Sequence, residues 1–520
     1  MFGRLNSPAL ACGCAALVSM LALGVQAQDA PAQESSSRQR AFPAPTFRVN
    51  AQATTQAPSL LDRPLRRLTN AADTLRYWNQ IAIDASGIDH TPLQPGETRR
   101  FGEKLGPGRA SLAIAIVHIA IFDAVNSIVG GYRSYTGLPR TFGNASIDAA
   151  VASAAHATLI RQFPSQRREF DELLVRDLRL LPAGNGKLRG IAVGKLAAAL
   201  ILARRLNDGS VHTDPLMDGE YPGGEEAGEW RQDPISQSPI ALGWKWGLVR
   251  PLVLRSGSQF RAPPPPAMNS EAYTAAFNEV KALGGDGEPE GTATTRTEDQ
   301  TLTGIYWAYD GTPSLCAPPR LYNQIITEVS KRSTNVIALA RLYALANVAM
   351  SDSGIAIWES KFLYEFWRPV LGIREADAGT GPSGEGDGNP LTVGDLTFSP
   401  LGAPASNLTG PNFTPPFPAY PSGHAGFGGA LFQILRRFYG TDRVAFTFVS
   451  DELNGVTVGN DGEVRPLAPR SFETFSQAEE ENGQSRIYLG IHWSFDKTEG
   501  IAQGRRVANY VFGNAFQPIR

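Results

Sequence analysis

Helical periodicity runs through almost the whole chain from Ala71 onward, and it limits the possible folds more than any other feature. Apolar residues that recur three and four positions apart mark one face of a helix. The longest such run is Thr334 to Trp367. Shorter runs predict helices over Ala72–Ala85, Ala110–Ile128, Ile147–Gln162, Ser165–Leu180, Gly186–Asn207, Ser270–Leu283, Thr297–Tyr309, Arg320–Lys331, Ser422–Tyr439 and Asp496–Phe512, with a smaller element near Ser471–Glu481. Alternating runs, the mark of a half-buried strand, are scarce, and Pro251–Leu254 is one short candidate. The expected fold class is all-α. Two Gly/Pro-rich stretches, Asp208–Pro266 and Ile373–Pro418, interrupt the helices as long loops.

Charge narrows the partners. Lys and Arg number 48 against 50 Asp and Glu, a net charge of -2. A nucleic-acid binder or a polybasic membrane binder would show a basic excess. Residues 1–27 read as a secretory signal: Arg4 as a thin basic start, an apolar Ala9–Gly24, and Val25-Gln26-Ala27 as a small-x-small cleavage site. The chain is therefore expected to be exported, to the periplasm or beyond. Residues 28–60 read as a flexible leader, 61–330 as a helical scaffold half, and 331–520 as a C-terminal helical bundle carrying the site. Cys12 and Cys14 fall inside the signal, so cleavage leaves Cys316 alone and excludes an intramolecular disulfide. The apolar run Ser111–Val129 is interrupted by His118, Asp123 and Asn126. Charge at mid-membrane is costly, so a buried core helix is the better reading, with no membrane span in the mature chain. His118 and Asp123 are then core contacts rather than ligands.

Three segments carry the chemistry. They are Lys361 to Arg368-Pro369, Phe417 to Pro421-Ser422-Gly423-His424, and Ser485-Arg486 to His492 and Asp496. On one helix, a spacing of seven places Lys361 and Arg368 within ~20° of a single face, and Pro369 is expected to end that helix. Pro-Ser-Gly-His looks like a helix start: Ser422 caps, Gly423 lets backbone approach a ligand, and His424 sits in the first turn. Arg486 and His492 do not share a helix face, but a turn or helix start between them would bring both to one site. Asp496, four after His492, can orient its ring. Taken singly, each segment is also compatible with an ordinary role, as a solvated charge pair, a capped turn or a core histidine. Together, three cations, backbone N–H groups, a hydroxyl and two histidines suit a tetrahedral oxyanion. The set is too basic for a divalent cation.

The ordered pattern Lys-x6-Arg-Pro, Pro-Ser-Gly-His, Ser-Arg-x5-His-x3-Asp resembles that of the vanadium-dependent haloperoxidases. These share it with the type 2 phosphatidic acid phosphatases and the bacterial acid phosphatases. Trp358, Phe417 and the stretch Tyr306-Trp-Ala-Tyr-Asp310-Gly311 are similar to the chloroperoxidase type, whereas a histidine often replaces Phe417 in bromoperoxidases. The resemblance implies a pair of four-helix bundles and one vanadate per chain, with no haem. It implies hydrogen peroxide, a halide (bromide and chloride) and small organic acceptors as reaction partners. It makes His492 the vanadium ligand and His424 the acid–base residue. Lys361, Arg368, Ser422, Gly423 and Arg486 would hold the oxygens, with Lys361 also polarising bound peroxide. Trp358 and Phe417 would line the halide side, Asp310 would hold Arg486, and Asp496 would support His492. The same site in a secreted acid phosphatase would use His492 as nucleophile, through a phosphohistidine, and His424 as the acid. A non-catalytic oxyanion binder would have no need of His424.

Overall fold

The computed structural model describes residues 48–49, 59–64, 70–141, 144–217 and 219–519. The expected signal, most of the expected leader, and Cys12 and Cys14 lie outside these residues. The all-α expectation holds. Thirteen α-helices, five short 3₁₀ helices and two two-stranded ribbons make up the regular structure of the described residues. The helices are α1 (Ala71–Asp89), α2 (Gly106–Val129), α3 (Ile147–Gln162), α4 (Arg167–Arg179), α5 (Asn185–Arg204), α6 (Glu271–Leu283), α7 (Glu298–Tyr306), α8 (Pro319–Ser330), α9 (Val336–Tyr364), α10 (Pro369–Arg374), α11 (Gly423–Tyr439), α12 (Phe475–Tyr488) and α13 (Ser494–Asn514). Within the expected leader, Arg48–Val49 pairs antiparallel with Leu408–Thr409, and the Leu60 amide bonds Glu169 Oε2 at 2.8 Å.

Two helix groups meet on α9. On one side α2, α3 and α5 pack together, with α1 against α3; on the other α11 packs against α12 and α13. Helix α9 touches both α2 and α11, and its residues from Leu339 to Trp358 are all buried. That explains why its sequence shows no polar stripe: a helix apolar all round is a buried helix. Helix α2 is long and apolar enough to cross a membrane, yet it too lies inside the fold. His118 on α2 faces Asn79 Oδ1 at 2.9 Å and stacks on Tyr343 at 4.9 Å. Asp123 accepts from the Tyr135 and Thr136 amides, both at 2.8 Å. Both are core contacts, as the sequence suggests.

Two local expectations fail, for identifiable reasons. Helix α9 stops at Tyr364, because Glu365 adopts a left-handed conformation (φ 44°, ψ 36°) and its N–H caps Lys361 O at 2.8 Å. Tyr221 holds that bend by donating to Glu365 Oε1 at 2.5 Å. Arg368 therefore does not share a helix face with Lys361. It caps α10, and Pro369 starts a helix instead of ending one, since the first helical position needs no N–H. The expected strand Pro251–Leu254 is not formed either. Its amides at Leu252, Val253 and Leu254 converge on the Asp352 carboxylate of α9, at 2.6, 2.7 and 2.9 Å.

Candidate active site

The left-handed bend at Glu365 turns the chain back, so Lys361 and Arg368 converge from the end of α9 and the start of α10. Lys361 is fully buried, and its Nζ donates to Pro418 O at 2.7 Å and Ala419 O at 2.8 Å. An ammonium has three hydrogens, so one remains for the site. Burial, with Arg368 and Arg486 nearby, holds its pKa well below the usual lysine value, against the pull of Asp496. Arg368 donates from Nε to Phe417 O at 2.9 Å and from Nη1 to Ile491 O at 2.8 Å, and its Nη2 has no partner. Burial pushes this guanidinium down to about 9. Arg486, in the last turn of α12, donates from Nη2 to both oxygens of Asp310, at 2.8 and 2.9 Å. Its Nε and Nη1 have no partner.

The second motif forms the helix start that its residues suggest. Ser422 caps α11, accepting from the Ala425 amide at 3.4 Å, and its own N–H reaches Asp496 O at 3.0 Å. A side chain at Gly423 would press on the Trp358 ring, 3.3 Å away. His424 follows in the first turn. Its Nε2 meets Ala308 O, and its Nδ1 lies 3.7 Å from Asp310 Oδ1. A carbonyl only accepts, so Nε2 carries the hydrogen and Nδ1 is the atom free to exchange a proton. Burial, reinforced by Arg486, pushes the His424 pKa well below the usual histidine value.

Arg486 and His492 do meet, through the short turn between α12 and α13. The Ile491 amide bonds Arg486 O at 3.2 Å, and Gly490 supplies the left-handed residue (φ 70°). His492 Nδ1 donates to Asp496 Oδ2 at 2.8 Å, which turns Nε2 towards Arg368 Nη1 at 3.0 Å. Burial comes first, and Arg368 and Lys361 next, in lowering the His492 pKa well below normal. Burial raises Asp496 to about 7. Trp358 and Phe417 form the flank beside Lys361: their rings are 4.8 Å apart, and Lys361 Nζ lies 5.7 and 5.1 Å from them. A narrow cleft lined by Trp230, Asp233, Thr414 and Pro415 among others reaches Arg368.

All eleven residues singled out in the sequence thus fall in or beside one site. Sequence reasoning missed the carbonyls of Ala308, Pro418 and Ala419, which leave no side-chain signal. It also missed Tyr322 and Asn482, which hold His424 O at 2.8 and 3.2 Å. The donor set fits an oxyanion such as vanadate. Three buried N–H-bearing nitrogens, Arg368 Nη2, Arg486 Nε and Arg486 Nη1, have no acceptor, and a buried unsatisfied donor is costly. Among the described residues no group of three or more His, Cys, Asp or Glu could hold a metal cation.

The helical fold and its buried cage fit a tetrahedral oxyanion, and comparison with known proteins narrows the class. Residues 341–520 match the family described as the VCPO second helical-bundle domain. The vanadium chloroperoxidase of Curvularia inaequalis is 30% identical over 523 residues, an alignment covering 84% of this chain and 80% of that protein. The structure is similar to that of the first bacterial vanadium-dependent iodoperoxidase (TM-score 0.65, 22% identity, 86% of this chain and 98% of that one). It is also similar to a holo-type bacterial vanadium-dependent chloroperoxidase (TM-score 0.58, 17% identity, 87% and 98%). The chain belongs to the vanadium-dependent haloperoxidase family.

Proposed function

We propose that the chain uses one vanadate to oxidise bromide and chloride with hydrogen peroxide, giving hypohalous acid that halogenates small organic acceptors. The observation that carries this reading is the buried cage of Lys361, Arg368 and Arg486, with its unpartnered N–H groups, set between His492 Nε2 and His424 Nδ1. Lys361, Arg368, Arg486, Ser422 and the Gly423 amide would hold the vanadate oxygens, and His492 Nε2 would hold the vanadium. Vanadate, when bound, supplies the Lewis-acid centre that activates peroxide towards halide. Asp496 accepts a hydrogen bond from Nδ1–H of His492 and so keeps the Nε2 lone pair facing the cage. His424 Nδ1 moves the proton that peroxide entry requires. The remaining N–H of Lys361 stabilises the charge that develops on the transferred oxygen.

The aromatic flank of Trp358 and Phe417 favours halide oxidation over phosphate ester hydrolysis, because it offers a polarisable, poorly hydrated wall beside Lys361. The chloroperoxidase identity of the 30% relative supports chloride as a substrate. The test is a split assay on anion-free protein: orthovanadate, peroxide and monochlorodimedone with bromide or chloride, and p-nitrophenyl phosphate in parallel. Vanadate-dependent halogenation is expected. It should disappear in His492→Ala and fall about 10²–10⁴-fold in His424→Ala. Ester hydrolysis without halogenation would replace this reading with the acid phosphatase. Export is also proposed, on the signal-like pattern of residues 1–27; an exported chain beginning at Gln28 would support it, and an intact Met1 would not.

A further inference from the structure

The loop that carries Ala308 and Asp310 is gripped by a segment outside all three motifs. Ser450 Oγ donates to Tyr306 O at 2.6 Å, and the Asp451 amide donates to the Tyr309 hydroxyl at 2.5 Å. Glu452 makes the third contact, its Oε1 accepting from the Tyr309 amide at 3.1 Å. Tyr309 is left-handed (φ 49°), a conformation that a non-glycine residue rarely adopts and that persists only where the surroundings enforce it. The residues on either side of Tyr309 are the two that address the site: Ala308 O meets His424 Nε2, and Asp310 holds Arg486. Glu452 is itself fully buried. Its Oε2 accepts from Ser406 Oγ at 2.6 Å and from Arg465 Nη1, and Arg465 Nη1 also donates to Ser406 Oγ at 2.8 Å. Neither Glu452 nor Arg465 touches a residue of the anion cage in this network. A buried ion pair is weak evidence for stability, because its desolvation cost offsets its attraction. Its value here is the fixed backbone turn.

We propose that Glu452, paired with Arg465, is a positioning residue for the proton-transfer side of the site. It fixes the turn at Tyr309, and thereby the ring nitrogen that His424 presents and the hold of Asp310 on Arg486. The inference rests on the roles proposed above for His424 and Arg486. Glu452→Gln keeps the shape but sets an amide NH2 or a weaker acceptor against Arg465. Arg465→Gln is the second variant and removes the other partner of the pair. Asp123→Asn, which weakens bonds to Tyr135 and Thr136 and to no residue of the cage, is the stability control.

The experiment measures vanadate affinity by calorimetry, the melting temperature, and kcat/KM for peroxide and for halide separately. Both Glu452→Gln and Arg465→Gln are expected to weaken vanadate binding at least fivefold. They should lower kcat/KM for peroxide about tenfold while kcat/KM for halide stays within twofold. Asp123→Asn should lower the melting temperature with no change in vanadate affinity or in either kcat/KM. If Glu452→Gln melts lower but binds and turns over like the parent, its role is structural only and the proposal fails. A wild-type chain that lacks vanadate-dependent halogenation, with vanadate affinity still weakened in both variants, would sink the functional reading and leave the positioning role standing. Unchanged affinity overturns the positioning role whatever the wild type turns over.

Discussion

Binding of an oxyanion in the cage should raise the melting temperature of anion-stripped protein by a calculable amount. Three buried guanidinium nitrogens, one on Arg368 and two on Arg486, have no acceptor. Hydrogen bonds to a charged partner contribute about 1.5–3 kcal/mol each, so three contribute about 5–9 kcal/mol. That corresponds to a dissociation constant in the micromolar range, since 1 μM is about 8 kcal/mol. Vanadate at about a thousand times that constant then stabilises the folded chain by about 4 kcal/mol. A cooperative chain of this size unfolds with an entropy of about 1 kcal/mol per degree, so the melting temperature rises about 4 °C. The assay is thermal unfolding of anion-stripped protein against a vanadate series. Arg486→Met removes two of the three donors. It lowers the starting melting temperature, because Asp310 loses its partner, but the rise on adding vanadate should vanish. A rise below 1 °C in the parent, or an equal rise in Arg486→Met, would refute the assignment of the unpartnered nitrogens to anion binding.

Three other outcomes follow from the fold and the site. Burial holds His118 at about 3, so the native state stays neutral where the unfolded chain, near 6.5, takes up a proton. The stability from this group is complete above pH 6.5 and declines by about 1.4 kcal/mol per unit as pH falls towards 3. Urea unfolding from pH 7 to pH 4 should show that slope reduced in His118→Gln, and an unaltered slope would count against a neutral buried ring. Asp352→Ala strands the amides of Leu252, Val253 and Leu254 and should cost about 3–5 kcal/mol in urea unfolding; a loss under about 1 kcal/mol would mean the loop finds other acceptors. Tyr221→Phe removes the hydroxyl that steadies Glu365 and should cost about 1.5–3 kcal/mol, with vanadate affinity reduced because Lys361 and Arg368 no longer converge as firmly. Unchanged stability and affinity would show that the bend holds without Tyr221.

How much of this is visible in the sequence depends on the physical origin of each feature. Helix positions follow local periodicity, so Ile147–Gln162 is found with both ends right and most others within a turn. The capped start at Ser422 and the His492–Asp496 pair are also local, each set by a spacing of a few residues. The meeting of Lys361 with Arg368 is a different matter. Spacing alone suggests one helix face, but the bend at Glu365 depends on Tyr221 and on the Trp230 amide, which bonds Glu365 O at 2.6 Å. Contacts separated by more than a hundred residues leave no periodic trace. The same holds for Pro251–Leu254, whose alternation reads as a strand until Asp352 captures its amides. Ala308 and Glu452 are invisible for another reason: one acts through a carbonyl, and the other acts on a backbone amide.

Helix α9 covers α2 with one face and α11 with another, and it ends in the turn that carries Lys361. The family match begins at residue 341, inside that helix. A fragment cut there would leave bare the apolar surface that normally meets α2. The part of the chain with all three motifs is therefore not expected to fold when excised alone. A chimera of this protein needs a partner helix in the place of α2, because α9 is the common wall of both helix groups.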